Sequence, residues 1–488
     1  MGNGCMGKSS KTVPHQEDDE MLVLCGPVIG KVTDTTANVL LEVDGNALVT
    51  CTASPSKGLA VRATHQMQAG TPGVFMLEGL KPETTYSLSF DRLASIHTDK
   101  LRLRGCEVRT MPRPGDVKRL RLLALSCDWP DQLEEGDEDP WGRLSKLCKQ
   151  GECDVMLHLG DQVYTWGNAR MLEAVRAMED VQKPGISPAL RARMEQNACV
   201  KLQESYQYTW TRPETAVALA HASHLMIWSD NDVTNDFTVL RKPDGSQEYL
   251  PEYLSVAMRV YRMYQRVLWD PECCTKQDEL EAMSETREWH FHTYGPCGIF
   301  FIDMRGNRIS PDGHLKQGLP PLLSGAQRQA IEDAFSQPEL KCMVLCAEVP
   351  FVGPHPDNIV EQAEKLPFLK DHWPYNLSEL TWLLDLCFDW KKQVDGREVL
   401  LLGGDIHVGV DSTISDKRSG LSIRHITTSP ITNKVSRFFP VLEGDLNERY
   451  SYRHTPLDLH RNYCSIDLSF EGGKTQAKIE TVLVPGKS

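Results

Sequence analysis

Residues 153–164 read CDVMLHLGDQVY, an apolar run that ends on a glycine and an aspartate and is soon followed by a tyrosine. A run this apolar is expected of a strand that is covered on both faces, as in the parallel sheets of α/β proteins. Asp161 then lies at the carboxyl end of the strand, and Tyr164 follows three residues later. The stretch predicts a buried parallel strand with a carboxylate and a phenol at its end.

The same pattern recurs five times after residue 113. The further runs are RLRLLALSC (119–127), HLMIWSD (224–230), GIFFIDMR (298–305), KCMVLCAEV (341–349) and REVLLLGGD (397–405). Helical segments fall between them, the clearest being 376–393, where Asn376 is a predicted N-cap with Glu379 three residues on. Residues 113–488 are therefore predicted to form an α/β domain, with a helical insertion at about 167–222.

The sequence that precedes this domain has a different pattern of apolar residues. Between residues 21 and 112, short β-branched runs alternate with turn residues, which predicts a small all-β sandwich. The stretch LKPETTYSLSF (80–90) resembles the corner-tyrosine strand of fibronectin type III-like domains, with Tyr86 as the corner residue. A linker punctuated by proline and glycine, MPRPGD (111–116), separates the two regions.

Composition narrows the function classes. The chain of 488 residues is 40% hydrophobic and 25% charged, which is typical of a folded soluble protein, and its net charge of −14 argues against nucleic-acid binding. Many of its 15 cysteines lie inside apolar runs, so we interpret them as reduced core thiols of a cytoplasmic protein. The sequence contains neither the G-x-S-x-G elbow of serine hydrolases nor a P-loop.

The N-terminus reads MGNGCMGKSS and is predicted to be a flexible tail of residues 1–20. Gly2 is available for myristoylation once Met1 is removed, and Cys5 for palmitoylation. Lys8 and Lys11 could then face anionic lipids. No apolar run approaches the ~20 residues of a membrane span, and no signal peptide follows the start. We therefore expect a protein that is not secreted and is held at the cytosolic face of a membrane.

Several predicted strands end on residues that bind metals, namely Cys127, Asp161, Asp230, Asp405 and His407. In open α/β sheets, ligands bind beyond the carboxyl ends of the strands, so we expect these side chains to converge. Such donors favour metal-assisted phosphoryl transfer, in which cations activate a water and neutralise charge on phosphorus. Asp161 is the best candidate for a carboxylate shared by two metals, and Arg305 or Arg308 is available to clamp the phosphate oxygens.

The motifs SCD, LGDQVY, WSDNDVTND, IDMRGNR, LLGGDIH and TTSPITN, in this order, resemble those of the PhoD-like (alkaline phosphatase D) family of calcineurin-like metallophosphatases. The resemblance implies a four-layer α/β/β/α core and hydrolysis of phosphate mono- or diesters by a ferric ion with calcium, although Mg²⁺, Mn²⁺ or Zn²⁺ could occupy an altered site. Cys127 and Tyr164 would be the iron ligands, and Asp161, Arg305 and His407 the catalytic residues. The implied metal ligands are Cys127, Asp161, Tyr164, Asp230, Asn235, Asp405 and His407.

One motif departs from the family pattern W-D-D-H-(D/E)-V-x-N-D. Ser229 replaces an acid and Asn231 replaces the histidine. If that histidine protonates the leaving group, its loss removes help typically worth ~10²–10⁴ in rate. His290 and His292 are possible substitutes, or are simply strand or surface residues. The alternative to an enzyme is therefore a catalytically weak, metal-binding scaffold that binds a partner or a phosphorylated ligand.

Overall fold

The structure is a computed structural model that describes residues 20–94, 105–165, 185–233, 235, 251–273, 287–306, 322–353, 356–363, 367–436, 441–456 and 458–484. Over these ranges the chain forms four β-sheets and seven α-helices. Gly2, Cys5, Arg308 and most of the predicted tail lie outside the described residues, so their predicted roles stay predictions. No helix in the described ranges is long and apolar enough to cross a lipid bilayer.

The N-terminal region is the predicted all-β sandwich. Its strands are β1 (Val23–Val32), β2 (Thr36–Val43), β3 (Ala47–Pro55), β4 (Val61–Met67), β5 (Gly73–Glu78), β6 (Thr85–Phe90) and β7 (Glu107–Arg109). They form a three-stranded sheet, β1-β2-β5, and a four-stranded sheet, β4-β3-β6-β7, which enclose one apolar core. Tyr86 is buried in that core, and its hydroxyl accepts a hydrogen bond from the Lys81 backbone N–H at 2.8 Å.

The second region contains two larger sheets. Its strands are β8 (Arg119–Leu125), β9 (Val155–Leu159), β10 (Ser223–Ile227), β11 (His290–Tyr294), β12 (Cys297–Ile302), β13 (Cys342–Ala347), β14 (Glu398–Gly403), β15 (Val410–Asp416), β16 (Ser422–Thr427), β17 (Glu443–Asp445), β18 (Tyr450–His454), β19 (Arg461–Ser469) and β20 (Gln476–Val484). One sheet has the order β10-β9-β8-β19-β20 and the other β11-β12-β13-β14-β16-β15-β18-β17. All six predicted apolar runs are strands, and each of them pairs in parallel with at least one other of the six.

Seven helices cover or flank these sheets. They are α1 (Trp141–Gln150), α2 (Pro188–Trp210), α3 (Pro213–Leu219), α4 (Pro251–Tyr264), α5 (Gly325–Phe335), α6 (Pro356–Ala363) and α7 (Leu377–Gln393). The N-cap prediction is confirmed, because the Asn376 side chain accepts a hydrogen bond from the Glu379 backbone N–H. The range predicted as a helical insertion, about 167–222, contains the helices α2 and α3. Residues 166–184 lie outside the described residues.

The two large sheets pack face to face, and helices cover their outer faces. The central strands are apolar on both sides because both of their faces are covered. Leu157 of β9 and Val344 of β13 belong to the same buried cluster. The outer face of the larger sheet packs on α5 and α7, and the outer face of the smaller sheet on α1 and α3. The predicted α/β/β/α layering is therefore confirmed.

The sandwich packs directly on this core. Val28 and Leu40 of the sandwich join the cluster that lies between the two large sheets. The Asn38 side chain donates a hydrogen bond to the Leu268 carbonyl at 3.0 Å. Gly30 leaves no room for a side chain, because a Cβ there would lie 2.3 Å from the same carbonyl oxygen.

Candidate metal centre

The strand-end residues converge at the carboxyl ends of β8, β9, β10 and β14. Cys127, Asp161 and His407 each present a potential ligand atom, and these atoms lie within 4.8 Å of one another. Asp161, Asp230 and Asp405 form a second group with the same spacing. Asp161 belongs to both groups, as expected of a carboxylate that bridges two metals.

The backbone at these strand ends is strained. Cys127, Asp161, Asp405 and His407 have φ values of 60°, 57°, 68° and 57°, and they are four of the six described non-glycine residues with positive φ. Such conformations cost about 1–3 kcal/mol each and cluster at functional sites, where the surrounding structure enforces them. These four residues all belong to the two ligand groups.

The thiol and the phenol lie on one side of Asp161. The Cys127 Sγ is 3.5 Å from Asp161 Oδ2, and the Ser429 hydroxyl donates to the same sulfur at 3.1 Å. The Tyr164 hydroxyl donates to Asp161 Oδ2 at 2.8 Å and is 3.2 Å from His407 Nε2. The Trp129 ring stacks on the Tyr164 ring with centroids 4.8 Å apart, which fixes the orientation of the phenol.

The electrostatics of the centre favour a cation. Burial, together with Asp230, Asp232 and Asp405, raises the pKa of Asp161 well above its ordinary value. Burial and the Asp161 carboxylate also raise the pKa values of the Cys127 thiol and the Tyr164 phenol. Metal ligands must be deprotonated, and a bound cation supplies the positive charge that makes this possible. The donor set therefore fits a metal cluster.

Arg305, the predicted phosphate clamp, is almost fully buried among carboxylates. Its guanidinium is 2.7 Å from Asp371, 3.1 Å from Glu348 and 3.4 Å from Asp230. These ion pairs join Arg305 to the protein's own acids, one of which, Asp230, is a predicted metal ligand. Its role in substrate binding stays a prediction.

The predicted ligand set missed two acids and one amide near the centre. Glu348 follows β13 just as the other candidates follow their strands, so the run KCMVLCAEV already carried that signal. Asp371 ends a short 3-10 segment and has no comparable signal. Asn433, the last residue of TTSPITN, is buried with its amide nitrogen 3.3 Å from His407 Nε2, whereas the predicted ligand Asn235 is exposed.

The motif WSDNDVTND (228–236) contacts Asp161 through Asn231. The Asn231 backbone N–H and side-chain amide donate to the two oxygens of Asp161, each at 3.2 Å. The Ser229 hydroxyl is 3.1 Å from Asp230 Oδ1 and 3.4 Å from the Arg305 guanidinium. The Asn231 amide therefore contacts the carboxylate shared by both ligand groups, and the Ser229 hydroxyl lies beside Arg305.

His290 and His292 are buried in β11 and are not surface residues. Their imidazoles hydrogen-bond to each other at 2.7 Å, and His290 Nε2 is 2.9 Å from the Met226 carbonyl oxygen. The Trp269 and Phe301 rings stack on His290. Burial lowers the pKa of His290 to about 3. These contacts are those of core histidines, and none of them is to a predicted metal ligand.

The chain is similar to known proteins in sequence pattern and in fold. A model of the PhoD-like phosphatase family matches residues 122–468. A solved structure of PhoD superimposes with a TM-score of 0.65 at 14% identity, covering 96% of this chain and 90% of that one. GAP50, described as the anchor in the inner membrane complex of Plasmodium, gives a TM-score of 0.34 at 11% identity over 76% of this chain and 90% of that chain. A comparison with curated protein sequences gives no match. Because the family model spans most of the chain and the PhoD structure shares the fold over nearly all of it, the chain belongs to the PhoD-like phosphatase family.

Proposed function

We propose that this protein hydrolyses phosphate mono- or diesters at a two-metal centre of iron and calcium, which two groups of side chains that share Asp161 would hold. The observation that carries the proposal is the pair of ligand groups that share Asp161. Metals bound there would lower the pKa of a water and neutralise charge on the phosphoryl group. That is the chemistry expected of a phosphatase.

The two groups differ in the metals they suit. The first combines the Cys127 thiol, the His407 imidazole and, through its contact with Asp161, the Tyr164 phenol. Thiolate and imidazole ligands favour a transition metal such as iron. The second group, Asp161, Asp230 and Asp405, offers only carboxylate oxygens, which are the ligands that calcium prefers. Zn²⁺, Mn²⁺ or Mg²⁺ would be alternative outcomes of the metal analysis.

The chain's own residues would order and tune this centre. Asp161 accepts hydrogen bonds from Tyr164 and Asn231, so its orientation is fixed before any metal binds. Asp405 and His407 are only partly buried, and the centre therefore opens towards solvent on their side. A phosphate ester would approach from that side.

Elemental analysis of purified protein, combined with aryl phosphomonoester and phosphodiester assays, tests the proposal. We expect Asp161→Asn to lose metal and to lose activity by more than about 100-fold, because a bridging carboxylate is removed. Asp416→Asn is the matched control, since Asp416, the last residue of β15, is a buried carboxylate that pairs with Arg449 and is not a predicted metal ligand. Full activity in Asp161→Asn would contradict the proposal, and protein without iron would contradict the assignment of Cys127 and Tyr164.

The second candidate function is the metal-binding scaffold with weak catalysis. The amide of Asn231, bonded to Asp161, is the observation that favours it, because an amide cannot act as a general acid. Full metal occupancy with no turnover over a broad panel of esters would support the scaffold. Metal-dependent turnover would contradict it.

We also propose that Gly2 and Cys5 are acylated, which would hold the protein at the cytosolic face of a membrane. The support is the N-terminal sequence alone. Intact-mass analysis of the protein from eukaryotic cells should show a myristoyl and a palmitoyl group, which Gly2→Ala would remove. An unmodified mass would contradict this proposal.

A further inference from the structure

Asp232, inside the altered motif, holds the loop that carries Asp161. Its carboxylate accepts hydrogen bonds from the backbone N–H groups of Asp161, Gln162 and Val163 at 3.1, 3.0 and 3.3 Å. It also accepts from the Ser229 N–H at 2.8 Å, in the loop that carries Asp230. One buried side chain therefore fixes the loops of two predicted metal ligands, one of which has the strained positive φ.

Asp232 is in turn tied to the helices α2 and α4. The Gln265 amide donates to Asp232 Oδ1 at 2.9 Å and to the Tyr206 hydroxyl of α2 at 2.9 Å. The Tyr206 ring stacks on the ring of Tyr264, the neighbour of Gln265, with centroids 4.4 Å apart and the planes 7° from parallel. Contacts between the two helices therefore hold Gln265, the residue that donates to Asp232, in place.

The same helix junction binds a carboxylate of the sandwich. Glu42 of β2 is fully buried and accepts hydrogen bonds from the Tyr264 hydroxyl at 2.6 Å and the Gln207 amide at 2.8 Å. Gln207 follows Tyr206 in α2, as Gln265 follows Tyr264 at the end of α4. At the end of α4, the adjacent residues Tyr264 and Gln265 therefore bind Glu42 and Asp232 respectively, while on α2 Gln207 binds Glu42 and Tyr206 accepts a hydrogen bond from Gln265.

The donors in this network are amide, hydroxyl and backbone N–H groups. In a buried, low-dielectric environment, side chains linked by hydrogen bonds often contribute more together than the sum of their separate pairs. Residues that orient metal ligands through hydrogen bonds typically change metal affinity or activity by 10–100-fold when they are mutated.

We propose that Asp232 is a positioning residue of the metal centre and that the β-sandwich takes part in that positioning through Glu42. The network Glu42–Tyr264/Gln265–Asp232 would make the sandwich a structural component of the metal site. This inference rests on the proposed metal centre, and it assigns a role to the sandwich that the family's fold alone does not.

Titration of the full-length, metal-free protein with Co²⁺ tests the inference, because a thiolate ligand gives bound Co²⁺ a characteristic near-ultraviolet absorption. We expect Asp232→Asn to weaken Co²⁺ binding by about 10–100-fold, since one donor of the amide would face the backbone N–H groups. Gln265→Met, which leaves the backbone bonds of Asp232 in place, should weaken binding less. Asp416→Asn should leave Co²⁺ affinity unchanged even where it lowers the unfolding temperature.

A double-mutant cycle tests the link to the sandwich. We expect Glu42→Gln to weaken Co²⁺ binding in the wild-type background, and the effects of Glu42→Gln and Asp232→Asn to deviate from multiplicativity by at least about twofold. Unchanged Co²⁺ affinity in Glu42→Gln, or in both Asp232→Asn and Gln265→Met, would overturn the inference while leaving the metal centre standing. Wild-type protein that binds no Co²⁺ would contradict the metal centre itself.

Discussion

Asp161 shows how much the centre depends on single side chains. It is the residue common to both ligand groups, and its two oxygens already accept hydrogen bonds from Tyr164 and from both nitrogens of Asn231. Two of these contacts therefore come from Asn231, the residue predicted to replace a histidine of the family motif. The side chain at position 231 is therefore the one whose replacement we expect to change turnover most directly.

Asn231→His is expected to raise turnover of esters with poor leaving groups. An imidazole at this position can donate a proton to the departing oxygen, which an amide cannot, and such help is typically worth ~10²–10⁴ in rate. Rates on an alkyl phosphate and on a nitrophenyl phosphate, compared between wild type and variant, measure the effect.

The nitrophenyl ester is the internal control, because its leaving group departs with little need of a proton. The expected gain is therefore larger for the alkyl ester. Equal rates in both proteins on the alkyl ester would show that position 231 does not limit proton transfer. Asn231→Gln, which keeps an amide, should give no gain.

At the scale of elements, the parallel strands gather acids at one edge. Asp161, Asp230, Glu348 and Asp405 each follow a different strand, and Asp230, Glu348 and Asp405 lie near the Arg305 guanidinium. Burial, and the neighbouring Asp405, Asp371 and Asp230, raise the pKa of Glu348 to about 8, although Arg305 acts in the opposite direction. Each added negative charge at this edge therefore destabilises the metal-free fold.

This predicts that metal-free protein loses stability as the pH rises from about 6.5 to 8. In this window the native Glu348 still binds a proton that the unfolded chain, with an ordinary pKa near 4.5, has lost, so stability falls with pH. Buried histidines such as His407, whose pKa burial lowers to about 4, act in the opposite direction but only below about pH 6.5.

Urea unfolding of chelator-treated protein at several pH values checks this prediction. We expect Glu348→Gln to flatten the decline by about 1 kcal/mol, because one pKa unit corresponds to ~1.36 kcal/mol. Bound metal should also flatten it, since the cation offsets the repulsion between the carboxylates. A decline of unchanged slope in Glu348→Gln would contradict the assignment.

At the scale of the whole molecule, the sandwich and the phosphatase core are packed as one unit. Sandwich residues contribute to the cluster between the two large sheets, and Gly30 of β1 lies directly against the backbone of Leu268. The contact is with a carbonyl oxygen, which cannot move aside as a flexible side chain can. The interface therefore tolerates no added atom at this position.

Gly30→Ala is expected to destabilise the protein by roughly 1–3 kcal/mol, the usual cost of overpacking. Thermal unfolding should show the loss in one transition, because both regions share the affected contact. Gly115→Ala is the control, since a Cβ at Gly115 of the linker would meet no atom within 4 Å. A variant as stable as wild type would show that the interface adjusts.

The sequence by itself determined the fold class, the six apolar strands, the Asn376 cap and the strand-end residues Cys127, Asp161, Asp230, Asp405 and His407. These follow from local rules, because burial on both faces and capping are written in neighbouring residues. Only the tertiary structure decided which side chains meet: Asp232 with the Asp161 loop, Arg305 with Glu348 and Asp371, and Glu42 with Tyr264. These contacts join residues that are 43 to 222 positions apart in the sequence (348 − 305 = 43 for Arg305 and Glu348), so no local pattern specifies them.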